Sequence, residues 1–214
     1  MSKNNADMLT VEELLFAATL FDDLNDKLEV YQNTTRVHAD DFRGHNNVGV
    51  TLMALGRMKQ AGEAFGAAQT LNPGNGIVQT NAGALARQNG DMDAAETAYG
   101  KASGSPELNY NKGVLAIAQG NYGRAISSMG NNTTLNLALA KILNDDANGA
   151  RTTLENSGDD SAMASYLLAI CAARLKDNAG VKKNIDAALA KDPTLRARAQ
   201  NDLEFRNHKA ALGM

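Results

Sequence analysis

The sequence predicts an all-α fold built from stacked helix pairs. A pattern of small and apolar residues recurs at a fixed step, since Gly49 and Gly83 are 34 residues apart and Phe65 and Tyr99 are also 34 apart. A repeat of this length is typical of a solenoid, in which each unit buries its apolar face against its neighbours. Good helix formers are abundant and alternating β-branched runs are few, which favours helices over strands. We therefore expect a right-handed α-solenoid of about six stacked helix-turn-helix units and a C-terminal capping helix.

The repeat pattern divides the chain into units of unequal regularity. The first unit is expected to be atypical, because terminal repeats cap the stack. A single solenoid domain over residues 1–214 is predicted, with an atypical first repeat at 8–40, clear repeats at 42–75, 76–105 and 106–130, a degenerate repeat at 131–160, a further repeat at 162–193 and a capping helix at 194–207.

The ends of the predicted helices are marked by residue type. A glycine that tolerates positive φ is expected to end the first helix of a unit, and Asp or Asn is expected to begin the second. The glycines are Gly56, Gly90 and Gly120, and the residues that follow two of them are Asp91 and Asn121. Pro73, Pro106 and Pro193, the only three prolines, fall at junctions between units, so none is expected to interrupt a helix.

Small residues are expected where the two helices of a unit cross. Gly49 with Ala61, and Gly83 with Ala95, allow a close approach. The large side chains of Phe65, Tyr99 and Met129 are expected to fill the space between neighbouring pairs.

This combination of small residues, an aromatic residue and a junction proline resembles the tetratricopeptide repeat, from about Leu9 to Phe205. The resemblance implies a non-enzymatic protein-protein interaction scaffold that takes an extended peptide or partner segment in a concave groove and needs no cofactor. The ending Arg198-Ala199 to Glu204-Phe205 is similar to that of envelope-associated tetratricopeptide proteins of Gram-negative bacteria. It favours the periplasm or cell envelope if this is a mature chain or a fragment, and the cytoplasm otherwise.

One polar position recurs on the first helix of successive units. It is occupied by Asn47, Asn81, Asn111 and Asn136. In a stack of this kind the first helices line the concave surface, and a primary amide can pair with both groups of a peptide backbone. The resemblance to asparagine ladders in peptide-binding repeat proteins implies ligand contact. The alternative is that these amides hydrogen-bond within the scaffold.

Neighbouring concave positions add charge and an aromatic ring. We expect Arg43, Asn46, Arg87 and Tyr110 to complete the peptide-binding face. The alternative function is a structural spacer or self-association module, one domain of a larger cell-envelope protein, so a homo-oligomer also remains open.

Composition excludes several other classes of function. The net charge of −3, with interspersed signs, gives no basic stripe for nucleic acid. No apolar stretch reaches the length of a membrane-spanning helix, and the first residues lack the apolar segment of a signal peptide.

Reactive and metal-binding residues are sparse. Cys171, the single cysteine, lies in an apolar run and is expected in the core. His38, Asp40, Asp41 and His45 lie close in sequence, but their spacing matches no known ligand pattern. We therefore expect neither a metal site nor catalysis.

Overall fold

The computed structural model describes residues 9–212, and the described residues form an all-α helical repeat fold. Residues 1–8 of the predicted domain, including the first residue of the predicted first repeat, lie outside the described part. The chain divides into two compact units, one ending at Leu115 and the other beginning at Ala116.

The first unit contains three helix pairs and most of a further helix. In chain order the helices are α1 (Val11–Thr19), α2 (Leu24–Val37), α3 (Phe42–Ala54), α4 (Met58–Leu71), α5 (Gly76–Gln88), α6 (Met92–Lys101) and α7 (Leu108–Ala118), the last of which crosses the division between the units.

The second unit continues the helical pattern. Its helices are α8 (Tyr122–Met129), α9 (Leu135–Leu143), α10 (Ala147–Glu155), α11 (Ala162–Arg174), α12 (Asn178–Lys191), α13 (Leu195–Asn201) and a 3-10 helix (Leu203–Leu212). The predicted capping segment is therefore a short α-helix that ends at Asn201, with Asp202 as its C-cap, and is followed by a 3-10 helix.

Helix starts are fixed by side-chain caps. Asp91 and Asn121 accept hydrogen bonds from backbone amides three residues ahead, which confirms their predicted role. Thr10 and Glu13 satisfy each other's backbone amides at the start of α1, so they form a capping box.

In every helix pair after the first, the turn between the two helices contains a left-handed residue. Gly90 has φ 82°, as predicted. In the second unit the corresponding turns place Asp145 at φ 59° and Lys176 at φ 61°, where a side chain is disfavoured.

The core of the first unit is built around the predicted glycine and aromatic pairs. Phe65 and Tyr99 are fully buried, which confirms their place in the core. Each ring lies directly on the backbone of the first helix in its own pair, since a Cβ on Gly49 would lie 2.6 Å from Cε1 of Phe65, and one on Gly83 would lie 2.5 Å from Cε1 of Tyr99. The Phe65 cluster also includes Leu85 of the next pair, so this core extends beyond a single helix pair.

The second unit is held at its C-terminal end by an aromatic and polar cluster. The rings of Tyr166 and Phe205 pack edge to face, with centroids 5.6 Å apart. The Tyr166 hydroxyl donates to Asp202 Oδ2 at 2.7 Å, and burial together with this bond raises the pKa of Tyr166. Arg174 donates to Glu204 from both Nε and Nη2, so α11 is tied to the 3-10 helix.

Candidate functional site

The predicted amides of the first unit form a short chain of hydrogen bonds. Asn81 on α5 donates from Nδ2 to Asn46 Oδ1 on α3 at 3.0 Å, and Asn46 donates from Nδ2 to Asn47 Oδ1 at 3.2 Å. Asn46 is buried, whereas Asn47 and Asn81 are half-buried. These bonds link the first helices of two successive pairs, so the three amides stabilise the scaffold.

The same chain of bonds leaves complementary groups at its two ends. In these bonds Asn81 donates from its Nδ2 and Asn47 accepts at its Oδ1. The other amide atoms of the two residues, Asn81 Oδ1 and Asn47 Nδ2, therefore lie at the two ends of the hydrogen-bonded chain. One acceptor and one donor on a half-buried surface match the N–H and C=O of an extended backbone. Scaffold bonding and ligand contact are therefore compatible at these two residues.

Exposed apolar side chains accompany the amides. Val50 lies three residues after Asn47, and Ile77 lies four residues before Asn81, so each shares a helix face with its amide. Both side chains are exposed, whereas Val48 and Leu52 of α3 and Val78 and Leu85 of α5 are buried. The face of α3 and α5 thus combines apolar area with amide groups.

Arg43 is already engaged at the start of α3. Its Nη2 lies 2.7 Å from Asp41 Oδ2 and 3.0 Å from Glu12 Oε1. The bond from Arg43 holds the pKa of Asp41 below its ordinary value. Because this ion pair links α1 to α3, a ligand at Arg43 has to compete with two carboxylates.

Arg87 offers a different environment on α5. Its Nε is buried and has no hydrogen-bond partner among the described residues, and the same is true of the Tyr99 hydroxyl. Burial raises the pKa of Tyr99, and Arg87 is close enough to oppose that rise. Arg87 was predicted for ligand contact from its place in the repeat, which carries no sign of its nearness to Tyr99.

The remaining predicted residues divide between the two units. Tyr110 and Asn111 are half-buried on α7, within the first unit, whereas Asn136 is half-buried on α9 of the second unit. Tyr110 and Asn136 each have an interaction partner within the chain. The structure therefore joins Asn46, Asn47 and Asn81, and describes Asn136 in a separate unit.

The candidate metal residues serve local structure. A ring nitrogen of His38 hydrogen-bonds to the Leu9 carbonyl, a ring nitrogen of His45 to the Ala39 carbonyl, and Asp41 caps α3. Within residues 9–212, no group of three or more His, Cys, Asp and Glu side chains is placed to hold a metal ion.

Cys171 is fully buried in the core of the second unit. Burial raises the pKa of its thiol to about 11, so the reactive thiolate is disfavoured. This confirms the prediction of a small core residue.

No helix in the described range combines the length and apolar content that crossing a lipid bilayer requires.

Comparison with known proteins identifies the repeat and the fold. The model of the tetratricopeptide repeat family matches residues 49–106. No curated protein sequence matches the chain.

Solved structures similar to this chain include several repeat proteins. PilF of Pseudomonas aeruginosa is 15% identical, with a TM-score of 0.69 over 98% of this chain and 99% of that chain. PilW, a type IV pilus biogenesis factor, is 17% identical, with a TM-score of 0.69 over 92% of this chain and 97% of that chain. YrrB, a tetratricopeptide repeat protein with an unusual peptide-binding site, is 14% identical, with a TM-score of 0.60 over 82% and 100%. The chain thus has the fold of the tetratricopeptide repeat proteins, and residues 49–106 carry the repeat sequence itself.

Proposed function

We propose that the chain is a non-enzymatic interaction scaffold that binds an extended peptide segment of a partner protein on the face formed by α3 and α5. The tetratricopeptide repeat fold supports a role in protein binding. YrrB, one of the similar structures, has a peptide-binding site, which supports a peptide as the ligand class.

The proposal rests on exposed apolar side chains that lie beside two amides, each of which uses only one of its two polar groups in the scaffold. Val50 and Ile77 supply apolar area, and Asn47 and Asn81 supply one donor and one acceptor for a peptide backbone. Each hydrogen bond adds only about 0.5–1.5 kcal/mol net. Because association itself costs about 4–15 kcal/mol, burial of partner side chains against Val50 and Ile77 has to provide most of the affinity.

Arg87 is expected to contribute selectivity. Arg87 is half-buried, and its guanidinium carries five N–H donors in a fixed planar fork. A carboxylate or a backbone carbonyl of the ligand near the C-terminal end of α5 would satisfy such donors. The preferred peptide is therefore apolar, with an acceptor group placed to reach Arg87.

The test begins with a phage-displayed library of random dodecapeptides, selected on the intact chain. A synthetic peptide with the selected consensus is then titrated by calorimetry. The double variant Val50→Asp, Ile77→Asp should weaken binding by about tenfold or more, because it places charge on the apolar surface. Asn81→Ala should weaken binding by about threefold to tenfold, the value of one lost hydrogen bond.

Leu71→Asp is the matched control. Leu71 is 40% exposed and Ile77 is 49% exposed, but Leu71 ends the second helix of its pair. The control should bind the consensus peptide like the parent chain. Equal binding by the double variant and the parent, with both folded by circular dichroism, would show that the α3 and α5 face is not the site.

A further inference from the structure

The N-terminal helix presents an apolar stripe to solvent. Phe16 is 66% exposed and Leu20, at the end of α1, is 71% exposed. Leu14, Ala17 and Ala18 form the buried side of the same helix. Because Phe16 and Leu20 are four residues apart, they form one outward face, which Glu12 extends toward the helix start.

The segment that carries this stripe is acidic. Residues 9–43 contain eight carboxylates and three cations. The carboxylates are Glu12, Glu13, Asp22, Asp23, Asp26, Glu29, Asp40 and Asp41, and the cations are Lys27, Arg36 and Arg43. Arg43 is already paired with Glu12 and Asp41, and the segment keeps a net negative charge. A partner that covers Phe16 and Leu20 is therefore expected to be basic.

The C-terminal end of the chain has the complementary character. Leu203 is 82% exposed at the start of the 3-10 helix, and Arg206 is exposed three residues later. Side chains three residues apart in a 3-10 helix lie above one another, so Leu203 and Arg206 form one row. Residues 176–209 contain eight Lys and Arg against five Asp and Glu, which makes this end basic.

A cavity of about 570 Å³ adjoins the 3-10 helix. It is lined by Ala179, Lys182 and Lys183 of α12 and by His208, among others. Both lysines are exposed, and Lys182 forms a surface ion pair with Asp186. The cavity offers space for a large side chain beside cationic groups.

We propose that the chain associates head to tail with further copies of itself. The stripe of Phe16 and Leu20 on one copy docks on Leu203 and the adjoining cavity of the next copy. The carboxylates around the stripe then face Arg206, Lys182 and Lys183. A second copy of the chain in this orientation is favoured because the two exposed apolar surfaces lie in segments of opposite net charge. Pairing either surface with itself would bring like charges together.

A head-to-tail contact determines how the assembly grows. A head-to-tail interface uses two different surfaces, so every copy in a dimer leaves one of each kind free. Association should therefore continue beyond the dimer as concentration rises. High salt should weaken association, because exposed charges more than about 8–10 Å apart are screened at physiological ionic strength.

The experiment is sedimentation velocity on the intact chain over a concentration series, at low and at high salt. The parent chain should form dimers and longer species at low salt, and these should diminish at high salt. Phe16→Lys and Leu203→Asp should each lower the association constant by about tenfold or more. Phe16→Lys places an ammonium group against the cationic surface, and Leu203→Asp places a carboxylate against the acidic one. Leu71→Asp, whose side chain belongs to neither surface, should behave like the parent.

Mixing the two variants distinguishes this arrangement from a symmetric dimer. Phe16→Lys keeps an intact C-terminal surface and Leu203→Asp keeps an intact N-terminal surface, so the mixture should form dimers and stop there. A parent chain that stays monomeric at every concentration would overturn the proposal. So would a dimer that either variant leaves unchanged, or a mixture that stays monomeric while each variant is folded by circular dichroism. Peptide binding on α3 and α5 is measured separately, so failure of one proposal does not affect the other.

Discussion

Tyr99 shows how one polar atom alters an otherwise regular packing position. Its ring lies on Gly83 as the ring of Phe65 lies on Gly49. The Tyr99 hydroxyl adds a buried polar atom with no hydrogen-bond partner among the described residues. Leaving such a group unpaired costs about 1–3 kcal/mol. Phe65 occupies the equivalent position without that cost.

Tyr99→Phe is therefore expected to raise the free energy of unfolding by about 1 kcal/mol, because the ring remains and the unpaired hydroxyl is removed. Chemical denaturation followed by circular dichroism measures the change. The reciprocal variant Phe65→Tyr places a hydroxyl at the equivalent point and should lower stability. A loss of stability in Tyr99→Phe would mean that the hydroxyl makes a favourable bond, with Arg87 as the nearest candidate.

At the scale of the helix pair, a glycine in the first helix and an aromatic residue in the second act together. The glycine removes the Cβ that would strike the ring, so the ring can lie against the helix backbone. The pair that contains Ala138 and Leu154 uses a different combination, with a Cβ on the first helix and a smaller aliphatic side chain on the second. Both residues are buried. The degenerate repeat therefore keeps a packed core with a larger residue on the first helix and a smaller one on the second.

Gly83→Ala should lower the free energy of unfolding by about 1–3 kcal/mol, because the new Cβ would lie 2.5 Å from Cε1 of Tyr99 and force a shift. Gly66→Ala is the matched control on α4. A Cβ at Gly66 would meet nothing within 4 Å, so alanine should raise stability by about 0.5–1 kcal/mol through helix propensity. Effects of the same sign in the two variants would contradict the packing explanation.

The helix pairs were predictable because their signals are periodic. The positions of Gly49, Gly83, Phe65 and Tyr99 follow directly from the step of 34 residues, and the turn at Gly90 follows from its residue type. For the candidate site, the sequence predicted which types of residue are present but not the contacts between them. Sequence spacing identified Asn46 and Asn81 as surface amides, but their hydrogen bond depends on side-chain orientation across two helices.

Contacts between distant residues outside the repeat pattern could not be predicted in this way. Arg43 was expected to contact a ligand, but its partner Glu12 is 31 residues earlier. Tyr166 and Asp202 are 36 residues apart. Such pairs are fixed by packing in three dimensions, and a single sequence carries no periodic signal for them.

Over the whole molecule, each compact unit has hydrophobic clusters of its own. The cluster around Phe65 extends from Leu28 to Leu85, and the cluster around Phe205 begins at Ala138. In repeat proteins, stability is close to a sum of local terms and neighbouring interfaces, so damage to one cluster need not unfold the entire chain. Unfolding is therefore expected to depart from a single two-state transition when one cluster is weakened.

Phe65→Ala and Phe205→Ala test this expectation as a pair. Both side chains are 1% exposed, and removing either should cost its own unit about 3–5 kcal/mol. Hydrogen exchange followed by mass spectrometry on each variant should then show faster exchange mainly in the unit that carries the substitution. Phe65→Ala should affect peptides from α2 to α5, and Phe205→Ala those from α9 to the 3-10 helix. If both variants instead accelerated exchange equally across residues 9–212, the chain would unfold as one cooperative body, and the separate clusters would not correspond to separate units of stability.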